Sequence, residues 1–412
     1  MTEAWIIDAC RTPRGIGKYG KGALSEIHPQ QLGATVLKAI AERNGINTAE
    51  VDDVIWGTSS QRGPQGGDLG RMSALDAGYD VRSSGVTLDR FCGSGITATN
   101  FAAATIMAGM ADLVVAGGTE MMSMPNRRAP GDGPPTMDQG NLRLRARHPQ
   151  TNQGICADAI ATLEGISREA LDALALESQR RAAVAIAEGR FSKSLIPVYR
   201  EDGTLALDHE EFPRPQTTAE GLASLKSSFE AMADIALDEA GTTYRSLILQ
   251  KYPDLDIKFV HHAGNSSGVV DGSAALLLAS PDYAKANGLK PRARVVAIAN
   301  MGDSPTLMLN APVPAARKVL AKAGLTVDDI DLWEINEAFA VVAEKFQRDL
   351  KLDRDKVNVN GGAMALGHPI GATGAMLIGT VLDELERRDL KRGLVTMCAG
   401  GGMAPAIIIE RI

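Results

Sequence analysis

Short apolar segments alternate with longer segments of helical periodicity in the first third of the chain. Residues 32–43 repeat apolar positions at helical spacing and stop at Asn44-Gly45, a helix C-terminal signal. Short apolar runs predict buried strands, and strands that alternate with helices predict βαβ units and a mostly parallel sheet. The predicted strands are residues 4–9, 54–57, 86–88 and 113–118.

Residues 121–257 have a different character. Residues 125–135 are rich in proline, glycine and arginine, polar helices such as 168–188 follow, and no clean strand alternation is visible. The strand pattern returns at residues 257–260 and 274–279. The middle segment therefore predicts an excursion from the sheet, of the kind that forms a lid or a binding subdomain.

The last third of the chain repeats features of the first. The repeated pairs are residues 51–56 with 327–333, Cys92 and Gly95 with His368 and Gly371, and residues 113–118 with 394–401. Such a duplication predicts two similar α/β halves whose equivalent loops converge on a shared site. The predicted units are an N-terminal half at 1–120 completed by 258–280, an inserted loop domain at 121–257, and a C-terminal half at 281–412.

Bulk composition narrows the function classes. A chain of 412 residues with 44% hydrophobic and 23% charged residues is ordinary for a globular protein of two or three packed units. Its net charge of −7 argues against nucleic acid or an anionic membrane as partner. Four cysteines without paired spacing predict neither a disulfide framework nor a metal site. Without a signal peptide or an apolar run long enough to span a membrane, we expect a cytoplasmic protein.

Cys92 is the first candidate for chemistry. It lies between an apolar run and two glycines, Gly93 and Gly95, and the small-residue helix pattern of residues 96–110 follows. Free N–H groups and the positive dipole end of that helix would favour the reactive thiolate. The alternative is a small buried hydrophobe, which is the usual role of a free cysteine.

Three further polar residues occur at corresponding places in the repeat. Asn336 follows a predicted strand, His368 lies in a loop crowded with glycines, and Cys398 precedes three glycines. Each alone is more often structural, and the His368 loop could also hold a phosphate at a helix start. It is not a Walker loop, because no Gly-Lys-Ser/Thr follows. Together, these residues point to one catalytic site.

At these motifs the chain resembles the thiolase family, the acetyl-CoA acetyltransferases and 3-ketoacyl-CoA thiolases. The resemblance covers nearly the whole chain and implies a five-layered αβαβα fold of two duplicated halves with an inserted loop domain. It also implies coenzyme A as co-substrate, acyl-CoA substrates, and a homodimer or homotetramer. The matching motifs are Cys-Gly-Ser-Gly at 92–95, Gly-Gly-Thr-Glu-Met-Met-Ser at 117–123, Ala-Gly-Asn-Ser-Ser-Gly at 263–268, Asn-Glu-Ala-Phe at 336–339, Gly-His-Pro-Ile-Gly-Ala-Thr-Gly at 367–374 and Cys-Ala-Gly-Gly-Gly at 398–402.

The resemblance implies a role for each candidate in thiolysis of 3-ketoacyl-CoA or the reverse Claisen condensation. Cys92 matches the nucleophile that carries the acyl group in a ping-pong cycle, and His368 matches the histidine that takes its proton. Cys398 matches the acid/base that exchanges a proton with the α-carbon. Asn336 matches the residue that holds a water in one oxyanion hole together with His368, and the N–H groups of Cys92 and Gly400 match the other hole.

Binding residues are also implied by the resemblance. Ala263, Ser267, Ala338 and Phe339 match contacts to the pantetheine arm of coenzyme A, and Arg214 and Phe229 match its nucleotide end. Met308 matches a residue that lines the acyl pocket. From the residues alone, Arg214 could equally be a solvated surface arginine and Met308 a core residue.

The chain departs from the family where the substrate is recognised. Thr151-Asn152-Gln153-Gly154 replaces the Met-His-Met-Gly of short-chain members, and residues 309–312 replace Gly-Thr-Gly-Pro. A bulkier, branched or cyclic acyl group is compatible with these changes, and Phe91 before the nucleophile is more typical of degradative members, as in β-oxidation of fatty acids.

Two rival functions stay open at this point. A β-ketoacyl synthase shares the duplicated architecture and a cysteine nucleophile, but it would not need a second catalytic cysteine at 398. A non-catalytic acyl-CoA binding protein could also retain the fold, although it would have no need of all four polar residues.

Overall fold

The computed structural model describes residues 3–124 and 135–412. Most of the segment rich in proline, glycine and arginine at 125–135 lies outside the described residues. The strands, in chain order, are β1 (Trp5–Arg11), β2 (Gly15–Ile16), β3 (Asp53–Gly57), β4 (Ser84–Leu88), β5 (Leu113–Met121), β6 (Val198–Tyr199), β7 (Leu205–Leu207), β8 (Val270–Ala279), β9 (Ala293–Gly302), β10 (Leu332–Ile335), β11 (Arg392–Thr396) and β12 (Met403–Arg411).

Helices cover both faces of the sheet strands, and six of those in the described residues lie between β5 and β8. They are α1 (Pro29–Asn44), α2 (Leu69–Asp76), α3 (Ser94–Met107), α4 (Leu142–Arg147), α5 (Gln153–Glu164), α6 (Arg168–Ala187), α7 (Ala219–Ala223), α8 (Glu230–Ala233), α9 (Tyr244–Leu249), α10 (Pro281–Ala286), α11 (Pro312–Ala323), α12 (Ala340–Leu350), α13 (Ala363–Leu366) and α14 (Ile370–Arg387). Among the helices of the described residues, none is long and apolar enough to cross a membrane.

The order of the strands displays the duplication. The main sheet of the described residues runs β10-β11-β12-β9-β1-β8-β5-β3-β4, with β2 paired to β8. Read outward from the β9–β1 contact, β1, β8, β5 and β3 of one half correspond to β9, β12, β11 and β10 of the other. The position after β10 that would match β4 is taken by a single parallel bridge from Trp333 to Val357. Within the described part of the sheet, the strands of the two halves pair through Trp5 and Ile6 of β1 against β9.

Helices α3 and α14 form the layer between the two halves of the sheet, and they approach each other closely. A Cβ on Gly374 would lie 2.2 Å from the Ile96 backbone nitrogen, and one on Gly95 would lie 2.7 Å from that of Ala375. Only glycine at both positions permits this distance. Helices α1 and α2 cover the outer face of one half, and α11 and α12 cover the other. The molecule therefore has the five layers αβαβα.

Local sequence signals explain the helix ends. Helix α1 begins with a capping box between His28 and Gln31 and ends at Gly45, whose φ of 58° is the left-handed cap that Asn44-Gly45 predicts.

The strand prediction at 257–260 is wrong. The backbone N–H of Val260 donates to the Asp158 carboxylate at 2.9 Å, and that of Lys258 donates to the Thr162 hydroxyl at 2.9 Å. Side chains therefore take the hydrogen bonds that a strand ladder would need. The middle segment also contains the short hairpin β6–β7, which the sequence pattern did not indicate.

Candidate active site

A strained turn between β4 and α3 presents Cys92. Phe91 has a φ of 49°, a left-handed conformation that is rare for a bulky side chain. The Ser94 hydroxyl donates to the Phe91 carbonyl at 2.7 Å and accepts the Arg90 N–H at 2.9 Å. The turn is thus held by its own hydrogen bonds, and it places Cys92 just before the first residue of α3.

The Cys92 thiol is buried, and burial raises its pKa to about 12. The nearby Glu120 carboxylate adds to this shift, whereas hydrogen bonds from the Cys92 backbone and the Gln153 side chain oppose it. The expected preference for thiolate at the helix start is therefore outweighed, because desolvation disfavours the charged form more than the helix end favours it. Burial therefore favours the neutral thiol at Cys92.

His368 is buried and has a defined tautomer. Its Nδ1 lies 2.6 Å from the Thr373 hydroxyl, and that hydroxyl donates its proton to the Pro369 carbonyl at 2.9 Å. With its proton on the carbonyl, the hydroxyl accepts from Nδ1–H; we assign this tautomer because it leaves Nε2 as an unprotonated acceptor facing the Asn336 amide N–H. Asn336 Nδ2 lies 3.4 Å from Nε2. Burial, with a smaller effect from Arg14, lowers the imidazole pKa to about 3, so the ring is neutral.

Cys398 lies close to Cys92. Burial raises the pKa of Cys398 well above its ordinary value, and the proximity of Cys92 adds to the shift. Both cysteines are free thiols. The turn after Cys398 packs on the turn that presents Cys92, since a Cβ on Gly400 would lie 3.0 Å from the Phe91 ring. The two sulfurs therefore belong to one site without being bridged.

Backbone contacts connect the remaining candidates to this site. The Asn336 N–H donates to the Thr396 carbonyl, which brings the end of β10 beside the strand that leads to Cys398. The Glu120 carboxylate accepts the N–H of Gly371 at 2.9 Å while it acts electrostatically on Cys92. Asn336 Oδ1 is buried and has no hydrogen-bond partner among the described residues. Such an acceptor suits a bound water.

A large cavity of about 750 Å³, which we call the Ser267 cavity, adjoins the His368 segment. Its lining includes three of the predicted binding residues, Arg214, Ala263 and Ser267. The loop at one wall is joined to His368, because the His368 N–H donates to the Gly268 carbonyl at 2.9 Å. Arg214 stacks over Phe212 at 5.8 Å, a contact that holds the guanidinium at the cavity.

The other four predicted binding residues lie outside the lining of the Ser267 cavity. Phe229 packs edge-on against Phe339 at 5.8 Å between ring centroids. Ala338 is buried beside them, and its carbonyl accepts the Ser267 N–H at 3.0 Å. Met308 is fully buried with a φ of 62°. Ala338 and Phe339 therefore support the Ser267 loop, whereas Met308 lies in the buried core.

Three residues that sequence reasoning did not assign also belong to this region. Gln153 hydrogen-bonds the Cys92 sulfur, Thr373 fixes the His368 tautomer, and Arg14 lowers the pKa of His368. The departure at residues 151–154 was the available signal for Gln153, since it replaces an apolar side chain with an amide. Among residues 3–124 and 135–412, no group of three or more His, Cys, Asp or Glu side chains is arranged to hold a metal ion.

Comparison with known proteins gives consistent results over the full chain. The family model "Thiolase, N-terminal domain" matches residues 4–237, and "Thiolase, C-terminal domain" matches residues 289–411. A curated acetyl-CoA acetyltransferase of Chromobacterium violaceum is 40% identical, with 99% of this chain and 100% of the relative covered.

Two further relatives carry other names. The steroid 3-ketoacyl-CoA thiolase FadA6 of Mycobacterium tuberculosis is 42% identical over 100% of this chain and 95% of its own length. The beta-ketoadipyl-CoA thiolase of Acinetobacter baylyi is 40% identical, with both chains fully covered. The crystal structure of the Bacillus anthracis acetyl-CoA acetyltransferase superimposes with a TM-score of 0.82 at 35% identity, over 100% of this chain and 99% of that one.

Proposed function

The chain belongs to the thiolase family, and from that premise we propose that Cys92 carries the acyl group while 3-ketoacyl-CoA is cleaved by coenzyme A, or while the reverse Claisen condensation proceeds. One observation supports the assignment most: two free buried cysteines, 92 and 398, interact in a site that also holds a neutral histidine. Coenzyme A is proposed as a co-substrate, with the Ser267 cavity as its binding place.

In the first half-reaction, Cys92 transfers its proton to His368 Nε2 as its sulfur attacks the 3-keto carbon. The resulting tetrahedral oxyanion collapses, the bond between C2 and C3 breaks, and the acyl group stays on Cys92 as a thioester. The electron pair on C2 of the departing acetyl-CoA takes a proton from the Cys398 thiol. A thiol with a raised pKa is suited to this step, because it remains protonated until the carbanion forms.

In the second half-reaction, the thiol of coenzyme A attacks the acyl-Cys92 thioester. The Cys398 thiolate accepts the proton of that thiol, and the His368 imidazolium returns a proton to the departing Cys92 sulfur. Both catalytic groups are then back in their starting protonation states. Each step is reversible, so the same residues serve condensation.

Two sets of donors stabilise the negative charge that develops on oxygen. We assign the backbone N–H groups of Cys92 and Gly400 to the tetrahedral oxyanion, and His368 with a water held by Asn336 to the acetyl thioester enolate. The unpaired Oδ1 of Asn336 is consistent with such a water. Loss of one donor of this kind costs about 3–4 kcal/mol of transition-state stabilisation.

The substrate is proposed only as a class. The named relatives act on acetyl-CoA, a steroid 3-ketoacyl-CoA and beta-ketoadipyl-CoA, so we propose a 3-ketoacyl-CoA with an acyl group larger than acetyl, in keeping with the changed residues 151–154. We also propose that the protein is cytoplasmic and forms a homodimer or homotetramer. Each chain would consist of an N-terminal half (1–120 with 258–280), a loop domain (121–257) and a C-terminal half (281–412). The remaining binding assignments are Arg214 and Phe229 for the nucleotide, and Met308 for the acyl group.

Steady-state thiolysis over a substrate panel tests this function. The panel comprises acetoacetyl-CoA and straight, branched, cyclic and carboxylated 3-ketoacyl-CoAs, with loss of the 3-ketoacyl enolate absorbance as the readout. We expect cleavage of at least one, and none by Cys92→Ala, which should still bind coenzyme A. Decarboxylative condensation of malonyl thioesters without thiolysis would contradict the proposal and indicate a β-ketoacyl synthase.

A further inference from the structure

One carboxylate, that of Asp172 on helix α6, connects the two walls of the Ser267 cavity. One wall is helix α7 with the residues just after it, and includes Leu222 and Leu225. The other is the loop before β8, and includes Ala263 and Gly264. The walls come from different proposed units of the chain, so their spacing depends on what joins them.

The loop wall is held by one oxygen of Asp172. Its Oδ1 accepts from His262 Nε2 at 2.8 Å and from Asn265 Nδ2 at 2.8 Å. His262 Nδ1 in turn accepts the Gly264 N–H at 3.0 Å, which fixes the tautomer with its proton on Nε2. The loop therefore cannot shift without breaking bonds to this oxygen.

The helix wall is held by the other oxygen. Asp172 Oδ2 accepts from Arg168 Nε at 2.8 Å, and Arg168 Nη2 donates to the carbonyls of Leu222 at 2.7 Å and Leu225 at 3.0 Å. These two leucines are cavity-lining residues, so a single guanidinium joins the carboxylate to the end of α7.

The walls also meet directly at Gly264. A Cβ on this residue would lie 2.5 Å from Leu222 Cδ2 and 3.0 Å from Leu225 Cδ1. The leucines therefore rest on the glycine backbone, and the hydrogen bonds behind them hold the two walls in this contact. The Asp172 side chain is 11% exposed and that of His262 is 1% exposed, so these bonds are largely shielded from water.

We propose that Asp172 is a positioning residue for coenzyme A: through His262 and Arg168 it holds both cavity walls at the spacing that the substrate's pantetheine and nucleotide portions require. The inference rests on the proposed function, which makes this cavity the coenzyme A site. Asp172 does not touch the reacting sulfurs. Its removal should therefore weaken coenzyme A binding and leave the chemistry at Cys92 unchanged.

The test separates binding of the large thiol from chemistry with a small one. Asp172→Asn retains an acceptor for His262 but turns an amide N–H toward Arg168, which loosens the helix wall. We expect the KM for coenzyme A to rise about tenfold, the loss typical of one charge-assisted hydrogen bond. The kcat, and the kcat/KM with N-acetylcysteamine as the acceptor thiol, should stay within about twofold of wild type.

Two further variants complete the design. Glu169→Gln removes an equal charge from an exposed position on the same helix and should leave the KM for coenzyme A unchanged. Arg168→Met breaks only the link from Asp172 to the wall formed by α7. It should raise the KM for coenzyme A as Asp172→Asn does, and the double variant should show little additional effect on that KM. Arg168→Met also serves as the test if Asp172→Asn does not fold.

The outcomes distinguish this inference from the proposed function. A KM for coenzyme A within twofold of wild type in both variants, with unchanged Tm, would overturn it. An equal loss with N-acetylcysteamine would also overturn it, because that indicates a general structural role. Calorimetric titration of coenzyme A into Cys92→Ala, with and without Asp172→Asn, measures the same effect without turnover. A wild-type chain that cleaves no 3-ketoacyl-CoA would instead contradict the proposed function.

Discussion

Replacement of Thr373 by valine should slow acylation of Cys92, although this threonine touches neither the substrate nor either cysteine in the proposed mechanism. Its hydroxyl accepts a hydrogen bond from Nδ1–H of His368 at 2.6 Å and donates its own proton to the Pro369 carbonyl. That arrangement leaves Nε2 of the imidazole free to take the Cys92 proton. Valine has nearly the same shape and removes only the acceptor.

The size of the effect follows from the burial of the ring. A buried donor that loses its partner costs about 1–3 kcal/mol. The imidazole avoids this cost by moving its proton to Nε2, where it can no longer act as the base for Cys92. At about 1.4 kcal/mol per factor of ten, we expect acylation to be about 5- to 150-fold slower. Thr373→Ser keeps the hydroxyl and should remain within about threefold of wild type.

The assay is the pre-steady-state burst of acetyl-CoA release from the 3-ketoacyl-CoA that the wild type cleaves fastest, measured without free coenzyme A so that only the first half-reaction occurs. Thermal unfolding of each variant serves as the control for folding. A valine variant that acylates at the wild-type rate would refute the tautomer argument. A serine variant as slow as the valine variant would refute it as well, since packing and not the hydroxyl would then be responsible.

Three further predictions concern buried polar groups: the Glu210 carboxylate, the Cys92 thiol and the Gln153 amide. Glu210→Gln removes the carboxylate that lies 2.6 Å from the Arg11 guanidinium and 2.9 Å from that of Arg14. Because both guanidiniums are buried, we expect the free energy of unfolding, measured by urea denaturation, to fall by about 3–5 kcal/mol. A fall of less than about 1 kcal/mol would contradict this prediction. Burial raises the Cys92 pKa to about 12, so the thiolate fraction of this residue grows with pH across the neutral and alkaline range. The rate of inactivation by iodoacetamide should therefore rise up to about pH 10. A plateau of that rate near pH 8.5 would contradict the raised pKa. Gln153→Met removes a hydrogen bond that lowers the Cys92 pKa, so alkylation of Cys92 at fixed pH should slow by about 3- to 10-fold. An unchanged alkylation rate would contradict the hydrogen bond between Gln153 and Cys92.

The duplicated fold could be predicted from sequence because central strands such as β5 are buried on both faces and therefore form continuous apolar runs. The prediction of a mostly parallel sheet is wrong, because β8 and β12 each run antiparallel to both of their neighbours in the order of the main sheet. Residues 113–118 and 394–396 lie on β5 and β11, equivalent strands of the two halves. The segment 257–260 has the same apolar pattern but forms no strand. Its N–H groups bond to Asp158, more than 100 residues earlier in the chain, and no local pattern reveals such a partner.

The candidate site was less accessible to sequence reasoning where it depends on burial. Cys92 precedes a helix as predicted, but the depth at which the thiol is enclosed reverses the expected direction of its pKa shift. The link between Asp172 and His262 joins residues 90 positions apart, and nothing in the sequence around Asp172 points to that partner. Contacts of this kind arise from packing of the inserted segment on the core, which periodicity does not report.

The account depends above all on an acyl group carried by Cys92, and peptide mass spectrometry measures this most directly. The protein is incubated with the 3-ketoacyl-CoA of the panel that it cleaves fastest, in the absence of free coenzyme A, and is then quenched in acid and digested. We predict the corresponding acyl group on the peptide that contains Cys92, its removal on addition of coenzyme A, and no such adduct in Cys92→Ala. An adduct confined to another residue, or thiolysis that continues in Cys92→Ala, would contradict the account.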